Sequence, residues 1–422
     1  MRELAEKIAA EMRLHGPMAF ERFMELALYC PVYGYYEKET DTIGRRGDYF
    51  TSVSVGSLFG ELLAFQFAEW LQVPSSKFQV PSSKSTVHRS QAIGLSPTTS
   101  GRGEAWGGGL VEIVEAGAHR GELARDILMW LRQMRPALFE RLTYLIVEPS
   151  ARRQLWQQQT LADFGSQVRW VKSLGDLRQP ESSMPGSQAP VRVIFSNELL
   201  DAMPVQRFGW DAKKRVWFEW GVTLLDGRFA WARIQDRETT RLQDPKPPGA
   251  VHASRITHHA SRITPSWPDK LVEILPDGFT VEMSPAAQEW WREAAGALGC
   301  GKLLTIDYGF AAHELFAPER ESGTLRAYQQ HRVSSDVLSN PGEQDLTAHV
   351  DFSSLEQVGK AAGLRTEAFM TQERFLTGIA AQTWKRPASF GEWTARRKRQ
   401  FQTLTHPEHL GRPFRVLVQE RI

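Results

Sequence analysis

Glu115-Ala-Gly117-Ala-His119-Arg-Gly121 joins an apolar run, GLVEIVEAG (109–117), to a stretch with helical spacing, ELARDILMWLRQM (122–134). Glycines at such a corner let a ligand approach the backbone and take φ values closed to other residues. The helix that follows turns its first, unpaired N–H groups toward the same place. A second apolar run, LTYLIVEPS (142–150), delivers Glu148 27 positions after Gly121. Ligands of alternating sheets bind beyond the carboxyl ends of the strands, so Glu148 can accept hydrogen bonds from both hydroxyls of a ribose. That pattern suits adenosylmethionine or NAD. A dinucleotide fingerprint is G-x-G-x-x-G, built around a pyrophosphate. Here the corner is G-x-x-x-G with Glu115 ahead of it, a charge that repels pyrophosphate but can hold a methionine amino group, directly or through water. On its own G-x-x-x-G is an ordinary strand–turn–helix corner. Glu148 makes it a candidate cofactor site.

Further along, VRVIFSNELLDAMP (191–204) ends in Asn197-Glu198-Leu-Leu-Asp201, at the rim where a cofactor's methyl group would lie. Glu198 and Asp201 are three apart and face one pocket if the turn is helical. Asp307 ends the apolar run GKLLTIDYG (301–309) at the same rim. Capping is the competing role for Asp201 and Asp307. The loop Gly47-Asp48-Tyr49-Phe50-Thr51-Ser52 has the make-up of a lid that closes over a cofactor, with Asp48 and Tyr49 against it. Ordinary packing of its two aromatics is the plainer alternative.

Stretches of strand and helix character alternate from residue 109 onward, which implies a mainly parallel sheet with helices on both faces. Before that, residues 1–71 read as helix, aromatic loop (30–52) and helix (58–71). Residues 72–109 turn to Ser, Pro, Gly and Thr, with QVPSSK at 72–77 repeated at 79–84. Two copies cannot stack into a core, so this is an insertion rather than a solenoid. WDAKKRVWFEWGVTLLDGRFAWARI alternates apolar and polar residues around Asp226-Gly227, as an antiparallel meander does. It opens a second insertion (205–268) that carries HASRIT twice, at 252–257 and 259–264. The cofactor half then spans 110–204 and the remainder of the α/β unit 269–422. GLRTEAFMTQERF (363–375) and RPFRVLVQERI supply two closing strands. An antiparallel pair there suits a class I methyltransferase sheet, Rossmann-like, better than a plain dinucleotide-binding one.

Balanced charge, 51 basic against 49 acidic residues, supplies no field for a nucleic acid backbone or an anionic membrane. Arg396-Arg397-Lys398-Arg399 reads as a solvated helix face. Cys30 and Cys300 are too far apart for a C-x-x-C pair, and a thiolate zinc site is not expected. His349-Val-Asp351 with Asp345 lacks a further spaced ligand, so no metal is expected. Ser54 and Ser57 lack a G-x-S-x-G elbow. Leu4, Ile8 and Met12 at helical spacing, with Glu3, Glu6 and Glu11 between, resemble no secretory or transit segment. No apolar run is long enough to span a bilayer. A cytoplasmic protein of bacterial type is the expectation.

In order along nearly the whole chain, YGYY (33–36), GDYFTS (47–52), LFGE (58–61), the glycine corner, VEPS (147–150), NELLDAMPV (197–205), IDYG (306–309), GTLRAYQQH (323–331) and DLTAHVDFSSL (345–355) resemble the MidA-type methyltransferase family. Members in eukaryotes are mitochondrial complex I assembly factors that methylate an arginine. The resemblance implies S-adenosyl-L-methionine as cofactor and an arginine side chain of a protein, a complex I subunit among the candidates, as acceptor. A homodimer is compatible with it. Glu198 is then the principal guanidinium clamp, with Asp201 a second carboxylate or scaffold. Arg326, His331 and His349 lie in the matching stretches and are candidates to line the acceptor channel. One departure stands out: the family corner reads E-x-G-x-G-x-G, and His119 replaces the middle glycine. That keeps open an adaptor that retains the fold without turnover. An NAD-linked oxidoreductase, or methylation of an amide nitrogen oriented by Asn197, are further alternatives.

Overall fold

A computed structural model describes residues 2–38, 51–71, 110–177, 190–234, 274–329 and 332–422. The expected lid residues Asp48 and Tyr49, His331 and both repeat-bearing stretches lie outside the described residues.

Chain order introduces the strands as β1 (Met18–Ala19), β2 (Val111–Ala116), β3 (Leu142–Val147), β4 (Val168–Val171) and β5 (Val191–Asn197). Next come β6 (Gln206–Asp211), β7 (Val216–Leu225), β8 (Arg228–Ile234), β9 (Thr280–Met283) and β10 (Cys300–Phe310). The last six are β11 (Arg326–Gln329), β12 (Arg332–Ser334), β13 (Asp345–Thr347), β14 (Val350–Asp351), β15 (Arg365–Thr371) and β16 (Phe414–Arg421). The main sheet runs β15-β16-β10-β5-β2-β3-β4, with β14 beside β10. β2, β3, β4, β5 and β10 are parallel, and β16 runs antiparallel to both of its neighbours. One reversed strand inside an otherwise parallel sheet is the class I methyltransferase arrangement expected from the two closing strands.

Alternation along the buried strands explains why helices cover both faces, since successive side chains point to opposite sides. Ile113, Ile146, Val193, Phe195, Leu304 and Ile306 join the core formed with helices Leu58–Leu71 and Glu122–Met134. Val114, Leu145, Ile194 and Leu303 instead meet helices Pro285–Leu298 and Phe352–Ala361. Trp291 anchors that second face: it is fully buried and its indole N–H donates to Gln419 Oε1 at 2.8 Å. Replacing it with alanine empties the largest side-chain volume there and orphans the Gln419 acceptor. Trp291→Ala should cost about 3–5 kcal/mol, read as a lower urea midpoint at unchanged slope.

The meander belongs to a separate antiparallel sheet of five strands, ordered β1-β7-β6-β9 with β8 on β7. β1 comes from the first helical region, and Phe20 and Phe23 just after it pack on Trp231 and Phe229 at 4.9 and 5.5 Å between ring centroids. Thus Leu4, Ile8 and Met12, spaced for one helix face, share a core with Val205 and Val222. A third, small sheet is ordered β12-β11-β13. Among the described residues, no helix is long and apolar enough to cross a membrane.

Candidate active site

From β2 the chain proceeds outward through β3 and β4, then returns to β5 on the other side. A crevice opens at such a switch point beyond the carboxyl ends of the two central strands. Glu115, Asn197 and Glu198, and Glu148 at the tip of β3, all stand there. Gly117 and Gly121 take φ of 79° and 81°. A Cβ on Gly117 would come within 3.0 Å of Leu199 Cδ1, and one on Gly121 within 3.2 Å of Leu161 Cδ1. Both glycines are therefore required twice over, by conformation and by space. His119 adopts φ 46°, in the left-handed region that favours glycine. Its ring sits edge-on to Trp156 at 6.3 Å.

Glu148 is 2% exposed. Ser150 N–H donates to its Oε1 at 2.9 Å and Gln157 Nε2 to its Oε2 at 3.1 Å. Gln157 also donates to the His119 carbonyl at 3.0 Å and accepts from Trp170 Nε1 at 2.9 Å. This buried glutamine locks the corner to the carboxylate. Each carboxylate oxygen offers two acceptor positions, so a diol can still find one on either oxygen. Burial raises the Glu148 pKa against the pull of Arg153. The aromatic loop reaches the same end of the crevice. Arg152 and Arg153 donate to the carbonyls of Glu37 and Tyr36, and Ser150 Oγ lies 3.3 Å from Glu37 Oε2.

Glu115, the candidate partner of a methionine amino group, already has a hydrogen-bond partner in the chain. Its carboxyl lies inside the sheet, accepting from Tyr144 OH at 2.7 Å, and burial lifts its pKa to about 7. No composition or spacing signals that partner, because it depends on the register of β2 against β3.

Glu198 occupies φ 53°, so the turn after β5 is not the helical one that would align Glu198 with Asp201. A side chain other than glycine held in that region costs about 1–3 kcal/mol and recurs at functional sites. Although residue 198 is partly exposed, its carboxyl is enclosed. Oε1 accepts from Ser52 N–H at 3.1 Å and Asn197 Nδ2 at 3.0 Å. Oε2, and beside it Asn197 Oδ1, are buried with no hydrogen-bond partner among the described residues. Burial raises the Glu198 pKa to about 8, the two donors lower it, and Asp307 raises it again.

Asp307 is fully buried and accepts from the backbone N–H groups of Leu199, Leu200 and Tyr308 at 3.1, 2.8 and 2.8 Å. Asp201, hydrogen-bonded to Asp307, is pushed well up by burial and by Asp307, Asp345 and Glu198. Of the pair, Asp201 holds the proton, since backbone donors stabilise charge on Asp307. Asp345 is 1% exposed and accepts from Tyr36 OH at 2.7 Å. Sequence reasoning weighed Asp345 only as a metal ligand and did not single out Tyr36, although both fall in the stretches that carry the resemblance. The structure thus gathers Asn197, Glu198, Asp201 and Asp307. His349 lies near them, its ring parallel to that of Tyr308 at 6.4 Å and edge-on to Phe310 at 4.9 Å. Burial, then Arg326 and Arg320, lower its pKa to about 4, so it is neutral at physiological pH. Arg326 Nη1 donates to the Leu325 carbonyl at 2.7 Å.

A reversed strand in a parallel sheet, a glycine corner and an acid at the next strand tip define a class I methyltransferase. The chain belongs to the Methyltransf_28 family of S-adenosyl-L-methionine-dependent methyltransferases, whose profile matches residues 104–370. A structure of a superfamily member from Burkholderia thailandensis, bound to S-adenosyl-homocysteine, superposes with TM-score 0.71 at 28% identity, covering 100% of this chain and 92% of that one. The mouse protein arginine methyltransferase NDUFAF7, mitochondrial, is 26% identical over 373 residues, 83% of this chain and 68% of its own length. Its zebrafish counterpart (Danio rerio) is 25% identical over 381 residues, 85% of this chain and 71% of that protein. The expectation of a cytoplasmic protein is corrected by these relatives, which are named as mitochondrial. The acids among residues 3–11 describe the face of a packed helix and carry no address for the protein.

S-adenosylmethionine is thus the cofactor, and the crevice fits it. Gly117 and Gly121 hold positive φ at the corner, the Glu148 carboxyl is buried just past β3, and Glu198 Oε2 and Asn197 Oδ1, at the end of β5, are buried acceptors without a partner among the described residues.

Proposed function

We propose that the enzyme methylates an arginine side chain of a protein, with Glu198 gripping the guanidinium. The carrying observation is the pair of buried acceptors, Glu198 Oε2 and Asn197 Oδ1, that have no donor among the described residues. A guanidinium brings five N–H donors in a planar fork and stays protonated. Engaging two of its nitrogens concentrates charge there and leaves electron density on the third. The neighbouring charge of the Asp201–Asp307 pair, carried on Asp307, favours a cation at this rim over a neutral amide. Gly117, Gly121 and Glu148 would hold adenosylmethionine, which supplies an electrophilic methyl group on a sulfonium when bound. Ser52 N–H and Asn197 Nδ2 fix the Glu198 carboxyl, and Leu199, against Gly117, joins the cofactor corner to the acceptor loop. His349 and Arg326 border the acceptor side. A respiratory complex I subunit is the acceptor protein that the family resemblance favours.

Incubation with radiolabelled adenosylmethionine and a cell lysate, followed by acid hydrolysis, tests this. Label should elute as methylarginine from one discrete protein. Label in a methylated amide or a carboxyl ester would sink the arginine reading.

The grip also predicts a pH dependence. Free Glu198 is protonated below about pH 8 and must ionise to hold the guanidinium. Its folded pKa lies above the unfolded value, so kcat/KM, which reports the free enzyme, should climb with pH through about 8. A profile flat from pH 6 to 9 would contradict it.

A further inference from the structure

Ser52 and Gln372 lie 320 residues apart in sequence, and both are fully buried. Gln372 opens helix Gln372–Lys385. Its Nε2 donates to the carbonyls of Leu404 and Leu410 at 3.1 and 3.2 Å. Those carbonyls belong to the end of helix Ala395–Leu404 and to the turn after it, where backbone acceptors lack helical partners. Both amide protons being committed, Oε1 can only accept. It does so from Ser52 Oγ at 3.2 Å, which fixes the hydroxyl as donor. The N–H of the same serine is one of the two donors to Glu198 Oε1. Just beyond, a second buried glutamine, Gln400, donates to the Val55 carbonyl at 3.3 Å. Thr51 and Ser54 close the segment on itself, each side chain accepting from the other's backbone N–H at 3.1 Å.

We infer that Gln372 is a positioning residue for methyl transfer: through Ser52 it holds a backbone N–H on one oxygen of Glu198, so that the other oxygen faces the acceptor. The inference rests on the reading of Glu198 as guanidinium clamp. A buried Oε1 needs a donor in any case. What singles this one out is that its donor is the hydroxyl of the residue whose N–H holds Glu198. The two bonds meet on one residue: the Ser52 hydroxyl is held by Gln372 and the Ser52 N–H lies on Glu198.

Ser52→Ala is the leading variant, because it removes the hydroxyl and leaves both the 52 N–H and the bonds of Gln372 to Leu404 and Leu410. Gln372→Met accompanies it. Full-length variants are compared by the initial rate of labelling from radiolabelled adenosylmethionine in lysate between pH 6 and 9.5, with S-adenosylhomocysteine affinity as the check on folding. Ser52→Ala should slow labelling about tenfold at pH 7.5 and move the acid limb about one pH unit upward, because a weakened N–H bond lets the carboxyl keep its proton. S-adenosylhomocysteine should bind within twofold of wild type. If Gln372→Met fails to fold, Ser52→Ala decides alone. A wild-type rate and limb in Ser52→Ala overturns the inference, as does slowing without any shift of the limb. Glu198→Gln in the same series separates the two failures. An inactive Glu198→Gln beside a wild-type Ser52→Ala removes only the positioning, whereas an active Glu198→Gln removes the clamp and the positioning with it.

Discussion

Glu198→Gln should lower the rate of methyl transfer about a thousandfold, the loss of roughly 4 kcal/mol that follows removal of one transition-state electrostatic partner. Glutamine keeps the shape and keeps an Oε1 to accept from Ser52 N–H and Asn197 Nδ2. What disappears is the negative charge, and a donor now stands where Oε2 offered an acceptor. S-adenosylhomocysteine should bind as before, since the change lies on the acceptor side of Gly117. The variant should also be more stable than wild type at alkaline pH. Burial raises the Glu198 pKa to about 8 in the fold, so the unfolded chain releases its proton first and wild-type stability falls as pH climbs from about 4.5 toward 8. Glutamine has no such term. Activity lost together with stability gained is the signature of a group strained for function. A variant that loses activity and stability together would point to a scaffold instead.

Glu148→Ala is the second large effect. It should weaken S-adenosylhomocysteine binding about a hundredfold, the result of two charge-assisted hydrogen bonds worth roughly 1.5 kcal/mol each. The same substitution leaves Ser150 N–H without its side-chain acceptor and Gln157 Nε2 with only the His119 carbonyl, so part of the loss comes from a looser corner. Glu148→Gln separates the contributions. It keeps one acceptor oxygen, and titration should return an affinity between the other two. Equal affinity in all three proteins would remove Glu148 from the ribose.

Much of this site was legible because it depends on local rules. An apolar run ending in an acid or a glycine is a buried parallel strand meeting its crevice, and Glu148, Asn197-Glu198 and Asp307 all announce themselves that way. Gly117 and Gly121 were readable for the same reason. The alternation between residues 206 and 234 revealed the meander, but not that Met18–Ala19 and Thr280–Met283 complete its sheet. Such pairing joins segments far apart in sequence, Met18 with Val222 and Gln206 with Met283, and one edge strand contributes only two residues. Glu198 shows the limit most clearly. Three-residue spacing suggests a helical turn, yet the residue takes φ 53°, and it is Asp307 that hydrogen-bonds Asp201. Likewise the partners of Glu115 and Glu198, Tyr144 and Ser52, are fixed by register and by long-range packing. Neither leaves a mark in local spacing.

Calorimetric titration of the wild-type protein with S-adenosylhomocysteine, with NAD as competitor, examines the nucleoside crevice most directly. One molecule should bind per chain, NAD should not displace it, and Gly117→Val, whose side chain would run into Leu199, should abolish the heat. Equal displacement by NAD, or undiminished binding by Gly117→Val, would contradict the account.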